Sequence, residues 1–214
     1  MLFGNEARQA SWEGVPVVAR SPAPHFEGWL DEVVALGLLV KDREALGHNR
    51  RVAQLCVRIG RELAMTAAEL RVLARSGLLH DVGKLGVPDA ILGKGSSLDE
   101  SEWTLVKTHP EMGLSIFGGG AQAKREVGAV LYHHERLDGS GYPYGLVGEA
   151  IPIEARIVAV ADTYDALTSD RPYRKACSPW AARRVLLEEA VERLDPRVVG
   201  ALLRALDSAT LRAV

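Results

Sequence analysis

Residues 66–84 read TAAELRVLARSGLLHDVGK. Thr66 and Glu69 form a capping box that opens a helix running to His80, and Gly83 ends it. The closing turns, LARSGLLHD, are strongly apolar and deliver a histidine and an aspartate side by side. An isolated carboxylate in such surroundings loses its hydration, so Asp81 needs compensation. Metal coordination provides it. A carboxylate has two oxygens, so Asp81 can bridge two ions about 3.5 to 4 Å apart. The plainer alternative leaves His80 serving the helix macrodipole and Asp81 capping a neighbour.

The same helical punctuation recurs on both sides. Asp42 can cap a helix whose buried side carries Leu46, Val52, Leu55, Cys56 and Ile59. Asp99 with Glu102 makes a second capping box before Trp103, Leu105 and Val106, and Pro110 interrupts or restarts that helix just after His109. A helix from about Gln122 delivers Leu131, His133 and His134. Pro152 opens another, in which Ile153, Ile157, Val160, Ala161 and Leu167 repeat at helical spacing. Ser178-Pro179 and Asp195-Pro196 each place a capping residue before a proline at the first helical position. No alternating strand pattern exceeds a few residues. The expectation is an all-α bundle of seven to nine helices without internal repeats. Residues 1–40 read as an irregular arm with Pro16, Pro22 and Pro24, followed by a short apolar helix on Trp29, Leu30, Val33, Val34 and Leu36. One domain is expected over 41–214.

Five of the six histidines, His48, His80, His109, His133 and His134, fall within 87 residues, with Asp162 following. Imidazole and carboxylate bind borderline and hard divalent metals, and with Asp81 these seven side chains are more than one ion needs. A set this size implies two or three metals, and such clusters drive hydrolysis of phosphate esters. Glu44 and His48 are four apart on a predicted helix and share a face. Adjacent helical residues such as His133 and His134 project about 100° apart, so both reach a cluster only if it lies between them near the helix end. Asp162 sits in the apolar run ARIVAVADTYDAL, where it needs a metal or a hydroxyl such as Thr163 or Tyr164. Lys84, Arg171 and Arg174 are candidate phosphate contacts, arginine as a fork and lysine as a point charge. The loop 135–151, ERLDGSGYPYGLVGEAI, holds four glycines directly after the paired histidines. Loops this long inside compact helical domains are usually functional.

Bulk properties exclude several classes. The 214 residues suffice for a full core, and the composition is 47% hydrophobic and 25% charged with a net charge of −2. That is ordinary for a globular protein and unlike the basic footprint of a duplex-binding one. Cys56 and Cys177 are far apart and lack a C-x-x-C partner, so reduced thiols are expected. The longest apolar run, Val33 to Val40, is too short to span a bilayer, and an N-terminus carrying Glu6 and Glu13 does not read as a secretory signal. A cytoplasmic location is the expectation.

His80-Asp81-Val82-Gly83-Lys84 and His133-His134-Glu135-Arg136-Leu137-Asp138-Gly139-Ser140-Gly141-Tyr142-Pro143 resemble the signature of the HD-GYP domains, a branch of the HD-type metal phosphohydrolases. The resemblance covers about residues 42–206 and includes GVPDAIL (86–92), KTHPEMG (107–113), ADTYDALTSDRPYR (161–174) and LDPRVV (194–199). It implies an HD-domain helical bundle that hydrolyses cyclic di-GMP to pGpG and often GMP. It also implies that His48, His80, Asp81 and Asp162 hold one ion, with Asp81 bridging to a second held by His109, His133 and His134. Glu44 stands where some members hold a third ion, and iron or manganese is the usual metal. Lys84, Arg171 and Arg174 match positions that contact substrate phosphates, with Asp81 and Lys84 at the centre of the chemistry. The Gly141-Tyr142-Pro143 loop would shape the site and meet regulatory partners such as GGDEF-type signalling proteins. Two other readings stay open: an HD phosphohydrolase for another cyclic dinucleotide or phosphate ester, and a non-catalytic domain that binds a ligand or partner.

Overall fold

The computed structural model of the protein describes residues 43–115, 123–170 and 175–211, with side chains over 47–115, 125–170 and 175–208. Its α-helices are α1 (Arg43–Glu62), α2 (Ala67–Leu79), α3 (Asp89–Leu92), α4 (Glu100–Val106), α5 (His109–Leu114), α6 (Ala123–Tyr132), α7 (Ile153–Thr168), α8 (Pro179–Glu189) and α9 (Pro196–Leu211). Two 3₁₀ turns, Val82–Gly86 and Gly148–Ala150, complete the order. Among the described residues there is no strand, only an isolated antiparallel bridge between Asp138 and Val147. The all-α expectation holds, with nine helices among the described residues. The arm and short helix expected over 1–40, and the Asp42 cap, lie outside them.

Helix α7 is the axis of the bundle. Ala155, Ile157, Val158, Ala159, Val160 and Ala161 are all buried, so the helix is apolar around most of its circumference and takes neighbours on several sides. It packs against α1, α2, α6, α8 and α9. Helix α1 contributes Val52, Leu55, Cys56 and Ile59 to the same core, and α9 contributes Val198, Val199, Ala201 and Leu202.

Helices α1 and α2 meet at a glycine. A Cβ on Gly77 would lie 2.7 Å from the Ala53 Cα, so only a residue without a side chain lets the backbones approach. That approach sets the C-terminal end of α2, with His80, beside His48 on α1. The capping boxes at Thr66/Glu69 and Asp99/Glu102 both form. Helix α4 ends at Val106 and α5 restarts at His109, with Pro110 in its first turn, where the missing N–H has no helical partner to lose. Asp195 precedes α9. Its Oδ1 accepts the Arg197 N–H at 2.8 Å and its Oδ2 accepts from Arg156 on α7 at 2.8 Å.

Candidate metal centre

Helix ends leave carbonyls without intrahelical partners, and the centre is built on them. The Nδ1–H of His80, at the end of α2, donates to the Gly77 carbonyl at 2.9 Å. His109, at the start of α5, donates in the same way to Val106 at 2.8 Å, and His133, just past α6, to Val130 at 2.7 Å. A carbonyl only accepts, so each Nδ1 carries the proton and each Nε2 presents a lone pair. His48 Nδ1 lies 2.7 Å from Asp165 Oδ2 instead, with its Nε2 3.3 Å from Asp162 Oδ1.

The lone pairs converge in two groups. Ligand atoms of Asp81, His109, His133 and His134 lie within 4.8 Å of one another, and so do those of His48, His80 and Asp162. Asp81 faces both groups. Its Oδ1 is 3.3 Å from His109 Nε2 and 4.0 Å from His133 Nε2, while its Oδ2 is 3.5 Å from His80 Nε2. Lys84, on the 3₁₀ turn, donates to that Oδ2 at 2.6 Å.

The arrangement fits divalent ions. His109 Nε2 and His133 Nε2 stand 3.4 Å apart, two lone pairs facing each other with no proton to share. Two nitrogens on one ion at about 2.1 Å sit roughly 3.0 to 3.4 Å apart. His80 Nε2 is buried and has no hydrogen-bond partner among the described residues, a costly state that a cation relieves.

The electrostatics agree. Burial, reinforced by neighbouring imidazoles, holds His133 far below its usual range, and burial takes His134 down to about 3. Both are neutral and ready to donate. Burial works against ionised Asp81 and Asp162, but Lys84 beside Asp81 and His48 beside Asp162 outweigh it and hold both carboxyls well below the usual range. Lys84 is the largest stabilising charge for Asp81, and the His48 hydrogen bond is the largest stabilising contact for Asp162. Burial also opposes the charged form of His48, yet Asp162 and Asp165 carry it up to about 9.

The seven expected ligands are therefore brought together, and Lys84 sits against one of them. Glu44 falls within α1, but its side chain is outside the described residues, as are Arg171 and Arg174. The hydroxyl alternative for Asp162 fails at Thr163, which donates to the Ala159 carbonyl at 2.7 Å. His133 and His134 do not splay as helical neighbours. Helix α6 ends at Tyr132, the chain turns through a Glu135 N–H to Tyr132 carbonyl bond of 3.0 Å, and the two rings tilt together with centroids 4.0 Å apart.

The loop after them is anchored by a residue whose role sequence reasoning missed. Buried Glu135 accepts the N–H groups of Tyr144 at 2.8 Å and Leu146 at 3.0 Å. A Cβ on Gly141 would meet the Glu135 Cα at 2.4 Å, so glycine alone lets the loop fold back. Tyr142 then stacks on His134, with ring centroids 4.6 Å apart and planes at 23°. Gly83 plays the matching part in the other motif, since a Cβ there would fall 1.7 Å from the His109 carbonyl oxygen. Asp165 and Arg51 were also missed. Their signal was the i, i+3 spacing from Asp162 and His48, which puts each on the face of a ligand.

A helical bundle enclosing two facing sets of imidazole and carboxylate donors defines a class, that of metal-binding helical domains. The profile of the HD domain family matches residues 35–198, and the chain belongs to that family, in the HD-GYP branch its motifs resemble. HD-domain phosphohydrolases use divalent metals, and the two donor groups can hold them. The chain is 46% identical over 173 residues to the cyclic di-GMP phosphodiesterase response regulator RpfG of Xanthomonas campestris pv. campestris, covering 80% of this chain and 46% of that protein. It is 38% identical over 192 residues to the 3'3'-cGAMP-specific phosphodiesterase 3 of Vibrio cholerae, covering 88% of this chain and 42% of that protein. It thus spans less than half the length of these two relatives. Bd1817, an HDG"Y"P protein from Bdellovibrio bacteriovorus, shares the fold with a TM-score of 0.61 at 21% identity, over 76% of this chain and 52% of that one. No helix among the described residues is long and apolar enough to cross a membrane.

Proposed function

We propose that the chain carries a metal-dependent phosphodiesterase domain, over residues 41–214, that hydrolyses cyclic di-GMP to pGpG, GMP or both. The observation that supports this best is Asp81, whose two oxygens face separate donor groups. We assign His48, His80, Asp81 and Asp162 to one ion, Asp81, His109, His133 and His134 to a second, and Glu44 to a third. Iron or manganese, the usual metals of the HD-GYP domains this chain resembles, are our assignment. Divalent ions held there supply Lewis-acid polarisation of phosphate oxygens and activation of water.

The chain's own groups do the rest. The backbone carbonyls and Asp165 fix which imidazole nitrogens face inward. Lys84 sets a positive charge beside Asp81, where it meets a phosphate oxygen and stabilises charge that builds during attack. Arg171 and Arg174 offer bidentate forks for the remaining phosphate oxygens. Tyr142, stacked on His134, covers one side of the centre against water. The exposed loop side chains Tyr144 and Val147 suit a partner surface, for which a GGDEF-type signalling protein is our assignment. We place the domain in the cytoplasm.

The test is chromatographic assay of cyclic di-GMP hydrolysis by protein loaded anaerobically with iron or manganese. No turnover by the intact protein, with Asp81→Asn indistinguishable from it, defeats the assignment. The relation to the Vibrio cholerae enzyme favours 3'3'-cGAMP as a second substrate. The ratio of the two rates, measured side by side, decides which is preferred.

A further inference from the structure

Three histidines of the centre are oriented by neutral carbonyls, but His48 is not. Its Nδ1 faces the Asp165 carboxylate at 2.7 Å, and Asp165 is buried. The carboxylate is pinned in turn. Arg51 Nε donates to Oδ1 at 2.6 Å and Arg51 Nη2 to Oδ2 at 3.0 Å, while the Ser169 hydroxyl donates to Oδ2 at 3.3 Å. Arg51 lies three residues after His48 on α1, and Asp165 three after Asp162 on α7. The two helices therefore face each other through paired contacts one turn apart, the outer pair holding the inner one in register.

We infer that Asp165 is the positioning residue of the His48–His80–Asp162 group, that Arg51 holds it there, and that retention of a divalent ion in this group alone depends on it. The inference rests on the metal-centre reading above. A carboxylate that accepts the second ring proton fixes the imidazole's tautomer and rotation and strengthens it as a donor. The effect is confined to one group because Asp165 contacts His48, while His109 and His133 take their orientation from Val106 and Val130.

The experiment titrates the full chain, stripped with chelator, with Mn²⁺ by isothermal calorimetry. His48→Gln and His109→Gln mark which binding class belongs to which group. Asp165→Asn is expected to lose about 10- to 100-fold in affinity at the class that His48→Gln weakens, and to leave the class that His109→Gln weakens unchanged. In the His48→Gln background the same change adds no more than about twofold, because its action passes through His48. Asp165→Glu recovers part of the loss. Arg51→Gln, at a half-exposed side chain, weakens the same class by a smaller factor and carries the test if Asp165→Asn does not fold. Equal weakening of both classes, or a full additional loss in the His48→Gln background, indicates general packing and overturns the inference. Absence of Mn²⁺ binding by the unaltered chain defeats the metal reading itself, a separate and distinguishable result.

Discussion

At the level of single side chains, the centre's behaviour turns on which groups already hold a proton. His48 is raised to about 9 by Asp162 and Asp165, so without an ion it is charged at pH 7. Ligation requires the neutral ring, so an arriving ion must displace that proton. Burial keeps His133 and His134 neutral well below pH 7, so their group releases none from these rings. Affinity at the His48 group should therefore rise about tenfold per pH unit between 7 and 9, then level off, while affinity at the His109 group stays flat over that range. Metal titrations at pH 7, 8 and 9 check this, and a flat response at both refutes it. Asp81→Asn removes the charge that faces both groups. We expect at least a 100-fold loss of turnover, about the most that outer-shell changes alone produce, with the helical circular dichroism unchanged. The residues legible in the sequence were those whose chemistry is rare in apolar helices, such as His80 and Asp162. Asp165 and Glu135 were not, because a carboxylate that holds another side chain or a loop reads like any surface acid until its partner is known.

Among the helices, the joints matter more than the spans. Asp195 starts α9 and also accepts from Arg156 on α7, so one buried carboxylate ties two elements. Burial opposes its charge, but Arg197 and Arg156 outweigh that and lower its pKa. A carboxyl with a lowered folded pKa contributes stability above its unfolded value, near 4, and loses it as pH falls through the folded value. Asp195→Ala should cost about 3 kcal/mol at pH 7, from a lost cap and an unpaired, partly buried arginine, and markedly less at pH 3. Urea denaturation at both pH values measures it. An equal cost at both indicates lost packing rather than lost charge. The helix starts were readable because Thr66, Asp99, Ser178 and Asp195 cap in fixed patterns. The turn through His133 and His134 was not, since nothing before Glu135 stops a helix and the bend is imposed by the loop that Glu135 anchors.

For the bundle as a whole, the proposed ligands come from α1, the end of α2, α5, the turn after α6, and α7. Ions that bind this convergence bind only the folded chain, so they add to its stability. At about 100 times the dissociation constant each site contributes about 2.7 kcal/mol. Chelator should lower the midpoint of thermal unfolding by several degrees and Mn²⁺ should restore it; a midpoint indifferent to both contradicts metal binding. The architecture was legible because helical spacing and capping agree along nearly the whole chain. Which helix lies at the axis was not, because Ala155–Ala161 reads only as an apolar run until five neighbours are seen to cover it.

Gly83 carries an implication for descent. Any side chain at that position would run into the carbonyl that begins α5, so the backbone there tolerates no replacement without moving His109. Drift across homologous genes should leave that glycine fixed while exposed Glu100 wanders. A lineage that lost its glycine would be expected to have lost the third histidine's role as well.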